Sequence, residues 1–127
     1  MARYVLGIDI GSASSKGVVF SDQETVVSCV MPSGGNYRLT ADKIREELLS
    51  RIGLPSGDIV YTVATGYGAK MVSSADDVKA DITCHGRGIS HLFPSVRTVV
   101  DVGDMHSKAF RIDEKGSRRR ICRIEKN

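Results

Sequence analysis

Gly7-Ile8-Asp9-Ile10-Gly11-Ser12-Ala13-Ser14-Ser15-Lys16-Gly17 decides how the rest of the chain is read. Tyr4, Leu6, Ile8 and Ile10 alternate with Val5, Gly7 and Asp9, the period-2 pattern of a strand. Asp9 therefore leaves one face close to the strand's end. The turn that follows is glycine, serine and alanine, small enough for a phosphate to approach its backbone N–H groups. Lys16 adds a positive charge. The stretch is a candidate phosphate and metal corner.

It recurs in altered form at Thr98-Val99-Val100-Asp101-Val102-Gly103-Asp104-Met105-His106-Ser107-Lys108. Again an apolar strand ends in Asp, followed by X-Gly, a polar turn and a lysine. Repetition of a supersecondary unit suggests two related lobes facing one ligand. The plainer alternative is a pair of ordinary hairpins with Asp-Gly turns.

At 127 residues the chain is long enough for one domain with a core and short for two of usual size. Its 41% hydrophobic and 26% charged residues are ordinary for a soluble protein. No apolar run approaches the ~20 residues that span a bilayer, so no membrane association is expected. The N-terminus enters a strand almost at once, which reads as no signal peptide. Cys29, Cys84 and Cys122 are odd in number and widely spaced, which points to a reducing cytoplasm rather than a disulfide framework. No C-x-x-C supports zinc or a complete iron–sulfur site. Adjacent helix residues point about 100° apart, so Cys84 and His85 read as a thiol and a helix-face imidazole rather than a ligand pair. The net charge of +3 is uneven: residues 111–127 hold seven Lys or Arg against three Asp or Glu. Arg118-Arg119-Arg120 could meet nucleic acid or an acidic partner, and the plainer reading is a solvated face.

The order of elements gives the fold class. Strands are expected over 4–10, 16–20 and 25–31, joined by short polar turns into an antiparallel meander. A helix over 41–52 would be capped by Thr40, with Asp42 at its positive end, Ala41, Ile44, Leu48 and Ile52 on one stripe, and Gly53 and Pro55 as its stop. A strand follows over 58–64, then a turn at Thr65–Ala69. A second helix over 78–93 would turn Ile82, Ile89, Leu92 and Phe93 inward. Gly86 and Gly88 each cost that helix about 1 kcal/mol and would be explained by close packing or a break. Strands over 97–102, 108–113 and 118–124 then restart the meander. This second part, lacking helices of its own, would leave a sheet in need of cover.

Four segments carry a family resemblance: Gly7-Ile8-Asp9-Ile10-Gly11-Ser12 with Lys16, Val63-Ala64-Thr65-Gly66-Tyr67-Gly68, Asp81-Ile82-Thr83-Cys84-His85-Gly86, and Thr98-Val99-Val100-Asp101-Val102-Gly103. Together they resemble the ATP-dependent activases of 2-hydroxyacyl-CoA dehydratases and the related benzoyl-CoA reductase ATPase subunits, within the actin, Hsp70 and sugar-kinase superfamily. The resemblance covers nearly the whole chain. It implies an α/β fold: an RNase H-like (actin-type ATPase) lobe with a mixed sheet and helices over 1–95, then the opening β-meander of a second lobe over 96–127. It implies an activator that binds ATP or ADP with Mg between its lobes, forms a homodimer around a 4Fe–4S cluster, and drives an electron into a dehydratase-type enzyme. By position, Gly11, Ser12, Ser14, Ser15, Lys16 and Gly103 would bind the nucleotide. Asp9 and Asp101 would be the catalytic carboxylates holding the metal or its waters.

The sequence also departs from that pattern. The family's second corner reads Asp-X-Gly-Gly-Gln-Asp, where this chain has Asp101-Val102-Gly103-Asp104-Met105-His106. Asp104 puts a negative charge where glycine would let phosphate approach. Met105 replaces an amide that could orient water, and His106 replaces a carboxylate. The cluster-ligating cysteine motif would begin about where the sequence stops, and Cys122 falls outside it, as an ordinary strand cysteine. Two alternatives stand beside the activase reading. One is a non-catalytic interaction module on the same fold. The other is an RNase H-like nuclease, which needs three or four converging carboxylates for two-metal cleavage.

Overall fold

The alternation of the first strand holds in three dimensions: Leu6, Ile8 and Ile10 of β1 (Tyr4–Ile10) are 2%, 2% and 0% exposed. The computed structural model describes residues 3–104 and 106–125, with only the backbone of His106 and of 120–125. Its contacts divide the chain into two compact units after Lys79.

In the first unit β2 (Ser14–Ser21) runs antiparallel to β1, with Asp9 opposite Lys16 and Ile8 opposite Gly17. β3 (Glu24–Pro32) continues the meander. Both strands exceed their expected bounds because Ser14 and Ser15 pair with Pro32 and Met31. Asp22 and Gln23 take positive φ, 52° and 67°, as a two-residue primed hairpin turn requires. The helix α1 (Tyr37–Ile52) begins one turn before the expected Thr40 cap. Asn36 is the cap instead, its side chain accepting from the Leu39 N–H at 3.1 Å. Asp42 therefore lies beyond the first turn, which holds no acidic residue.

Ala41, Ile44 and Leu48 are buried against the sheet, and Ile52 packs at the margin of that core. Gly53 closes α1 in the left-handed region, donating to the Leu49 and Ser50 carbonyls. β4 (Ile59–Thr65) lies parallel to β1, a pairing that needs a crossover, and α1 supplies it. With the short parallel β5 (Asp77–Val78) the sheet order is β3-β2-β1-β4-β5. The result is a mixed sheet under a helix.

The second unit is an antiparallel sheet of β6 (Thr98–Val102), β7 (His106–Ile112) and β8 (Arg118–Glu125), packed by α2 (Asp81–Leu92). Val78, expected in the second helix, belongs to β5 instead. Ile82, Phe110 and Ile112 form this unit's core, with Ile89, Val96 and Val99 against it. Hydrophobic period marks a helix's apolar face but not the sheet it will cover. Leu92 and Phe93, expected inside, are 66% and 57% exposed because the helix ends there.

Of the two helix glycines only Gly86 serves packing. A β-carbon there would overlap the Gly116 carbonyl, whereas one at Gly88 would meet nothing within 4 Å. Val100 and Val102, on the other face of β6, are 68% and 74% exposed, as an uncovered sheet face would leave them. Among the described residues no helix is long and apolar enough to cross a membrane.

Candidate functional site

The first corner is built from the ends of β1, β2, β3 and β4. Asp9 is half-buried, flanked in register by Lys16 on β2 and Thr65 on β4. The turn between β1 and β2 closes on itself, the Gly11 N–H donating to the Ser14 carbonyl at 3.1 Å. A β-carbon at Gly11 would stand 2.5 Å from that carbonyl, so only glycine fits the turn. The Lys16 ammonium folds back on the same carbonyl at 3.2 Å and is solvent-exposed. Among the described residues no cation forms an ion pair with Asp9.

Beneath the turn runs a chain of buried hydroxyls. Ser33 Oγ donates to the Gly11 carbonyl at 2.6 Å, which commits its single hydrogen. Ser15 Oγ, 2.6 Å from Ser33 Oγ, must then be the donor of that pair. Thr40 Oγ1 donates to the Ser33 carbonyl at 2.6 Å, turned inward from the capping role expected of it. Ser15 and Ser33 are both 0% exposed. Ser15 was expected to hold phosphate; its hydroxyl instead supports the turn from below. Ser33 and Thr40, absent from the sequence-derived site, are the floor of the corner.

The Thr65–Ala69 turn forms the remaining wall. Gly66 takes φ 95°, and a β-carbon there would overlap Asp9 Oδ1 and the Ile10 carbonyl. Gly68 N–H donates to that carbonyl at 2.9 Å, fastening the turn to the end of β1. Thr65 is 7% exposed, and its hydroxyl has no hydrogen-bond partner among the described residues. A buried hydroxyl beside a carboxylate without a partner is a polar group left for a ligand or water. Its signal in the sequence was its place next to Gly66, not its type.

The second corner repeats the register and changes the chemistry. Asp101 on β6 lies opposite Lys108 on β7, as Asp9 lies opposite Lys16. Lys108, however, is 1% exposed, and its ammonium donates both to Asp101 Oδ2 and to Asp81 Oδ2, the latter at 3.3 Å. His85 Nδ1 lies 3.4 Å from the same Asp101 oxygen. Burial pushes the Asp81 carboxyl up, but Lys108 and the Ile82 N–H outweigh it and hold it below its ordinary value of 3.8. The carboxylate is thus favoured by folding. Its contribution to stability is complete above about pH 4 and is lost as the pH falls through the lowered folded value. The difference in melting temperature between the wild type and Asp81→Asn should therefore shrink as the pH is lowered from 5 to 2.

Beside this ion pair runs a groove of about 380 Å³ lined by Cys84, His85, Ile89, Val99 and Asp101 among others. Gly103 is half-buried and Asp104 exposed, whereas Met105 lies outside the described residues, as does the His106 side chain. Among the described residues no group of three or more His, Cys, Asp or Glu side chains is placed to hold a metal unaided. That does not suit a two-metal nuclease. A magnesium ion needs no such group, since it takes one or two carboxylates and completes its shell with water and substrate phosphate. An iron–sulfur cluster does not fit the described residues. Cys29 is buried on β3, with burial pushing its thiol up, and Cys84 stands on α2. The side chain of Cys122 lies outside the description.

Residues 6–125 match the BadF/BadG/BcrA/BcrD ATPase family. The activator of lactoyl-CoA dehydratase of Anaerotignum propionicum is 42% identical over 113 residues, which are 89% of this chain and 44% of that protein. The structure of the Acidaminococcus fermentans (R)-2-hydroxyglutaryl-CoA dehydratase component A superposes with a TM-score of 0.90 at 30% identity, over 98% of this chain and 48% of that one. The activator of the 2-hydroxyisocaproyl-CoA dehydratase from Clostridium difficile, solved with bound ADPNP, gives 0.86 at 32% identity, over 97% and 46%. The chain therefore spans less than half the length of these relatives.

Proposed function

Because the chain belongs to the BadF/BadG/BcrA/BcrD ATPase family, we propose that it is the nucleotide-phosphate-binding portion of an ATP-dependent activator of a 2-hydroxyacyl-CoA dehydratase-type enzyme. The observation that carries this reading is the first corner. It has a bare glycine turn, an exposed lysine folded onto it, and a half-buried carboxylate without an ion pair among the described residues.

In this reading the Ser12 backbone, the Ser14 side chain and the Lys16 ammonium receive the phosphates, and Gly11, bare of a side chain, leaves room for their approach. Lys16 gives up its contact with the Ser14 carbonyl for a charged acceptor, which makes the stronger hydrogen bond. Ser15, Ser33 and Thr40 keep the turn in shape, so that little reorganisation accompanies binding. Asp9 and Asp101 serve the magnesium ion through its oxygen shell, and Gly103 lets the second turn approach the nucleotide. Magnesium, when bound, neutralises phosphate charge, and phosphoryl transfer rests mainly on such positioning and neutralisation.

The wider assembly is part of the same proposal: a cytoplasmic homodimer that works on a dehydratase component. The exposed Val100 and Val102 favour a partner surface, and the mass in solution is its check. The 4Fe–4S cluster of the resemblance would take its ligands from outside the described residues.

The test is calorimetric titration of ADP with Mg²⁺ into the chain, beside Asp9→Ala. Saturable binding weakened at least tenfold in the variant is the expected result. Absence of binding at millimolar nucleotide would overturn the reading and leave the fold as an interaction module.

A further inference from the structure

Lys16 and Lys108 occupy equivalent register positions, yet the structure gives them opposite surroundings. Lys16 stands in solvent against a carbonyl. Lys108 is among the most deeply buried side chains of the chain, with its ammonium shared by Asp101 of β6 and Asp81 of α2. A lysine is enclosed to that degree only where carboxylates replace its lost water.

Both contacts to Asp101, from the Lys108 ammonium and from the His85 imidazole, fall on Oδ2. They hold the carboxylate by that oxygen, and neither falls on Oδ1. The ion pair therefore does more than neutralise: it decides which Asp101 oxygen is offered. Asp81 anchors the other end of the ammonium. It stands in the first turn of α2, where its Oδ1 also accepts from the Ile82 N–H at 2.7 Å.

We infer that Lys108 is a positioning residue, which fixes the Asp101 carboxylate so that Oδ1 is presented to magnesium or its water. The inference rests on the reading above that Asp101 serves magnesium. It assigns the two repeated lysines different work: Lys16 meets the phosphate, whereas Lys108 never meets the ligand.

The experiment is titration of ADP into the full chain at a series of Mg²⁺ concentrations, with thermal unfolding measured on the same samples. Lys108→Met should raise the Mg²⁺ concentration for half-maximal nucleotide binding at least tenfold and lower the melting temperature. Lys108→Met with Asp81→Asn removes the stranded carboxylate together with the ammonium. That double variant should regain most of the melting temperature and keep the shifted Mg²⁺ dependence. It also carries the test if Lys108→Met alone does not fold.

Recovery of both quantities in the double variant would make Lys108 scaffold only and overturn the inference. Asp101→Ala separates the two levels of argument. If it leaves the Mg²⁺ dependence unchanged while the wild type binds, the role of Asp101 fails and the inference with it. If it shifts that dependence while both Lys108 variants do not, the inference alone fails.

Discussion

Gly66→Val is expected to abolish saturable binding of magnesium nucleotide while costing about 1–3 kcal/mol of stability from backbone strain alone. Two independent features make the site intolerant. Gly66 has φ 95°, a region that L side chains rarely adopt and β-branched ones least of all. Even with that strain accepted, a β-carbon would overlap Asp9 Oδ1 and approach the Ile10 carbonyl to 2.5 Å. The Ile10 carbonyl cannot retreat freely, because it accepts the Gly68 N–H at 2.9 Å. Asp9 is the group left to move. The variant should therefore lose more in ligand affinity than in melting temperature, a pattern that a general packing defect would not give. Gly57→Ala is the control: it meets nothing within 4 Å and should change neither quantity. Retention of full affinity in Gly66→Val would mean that the position of Asp9 does not matter to binding.

The parts of this corner that the sequence disclosed are those governed by local pattern. The period of β1, the small-residue turn and the Asp-Gly echo at Asp101 are readable because alternation and turn chemistry act over a few residues. The helix stripe of Ala41, Ile44 and Leu48 is readable for the same reason. What escaped depends on which hydrogen bond each polar side chain makes once the elements are folded together. Asn36 and Thr40 are both good caps by type, and the choice fell to Asn36 because Thr40 is drawn down to Ser33. Ser15 looked like a phosphate ligand by its position in the turn. Its hydroxyl went to Ser33, eighteen residues away, because strand alternation places it on the buried face.

The second corner teaches the same lesson about charge. Lys108 matched Lys16 in spacing and in register, and nothing within the Thr98–Lys108 stretch marks it as buried. Its burial comes from Asp81, which reaches it only because α2 packs on the second sheet. The same packing places α2 in the unit that begins at Ala80. A helix's partner sheet thus determined the surroundings of Lys108. The repeat in sequence is real as backbone and register. It does not extend to the surroundings of the two lysines, since one faces solvent and the other a pair of carboxylates.

Ile44→Ala should cost about 2–5 kcal/mol, the range for emptying a fully buried aliphatic site. Ile44 is 0% exposed and lies over Gly17 of β2, where no side chain exists to refill the space. The pair also predicts a sign. Gly17→Ala by itself would push a β-carbon into the Ile44 methyl and to 2.9 Å from Leu48 Cδ1, an overpacking that costs about 1–3 kcal/mol. With Ile44 already shortened, the first of those clashes is gone, so the double variant should be more stable than the sum of the two losses. Chemical denaturation of the four proteins measures this directly, and simple additivity would refute the contact. The nucleotide affinity of Ile44→Ala, taken well below its melting temperature, should stay within about twofold of the wild type. The corner hangs on α1 through Thr40 and Ser33, whose hydrogen bonds do not pass through Ile44. A large fall in affinity would instead show that the floor of the site is held by the packing of the helix and not by its hydroxyls.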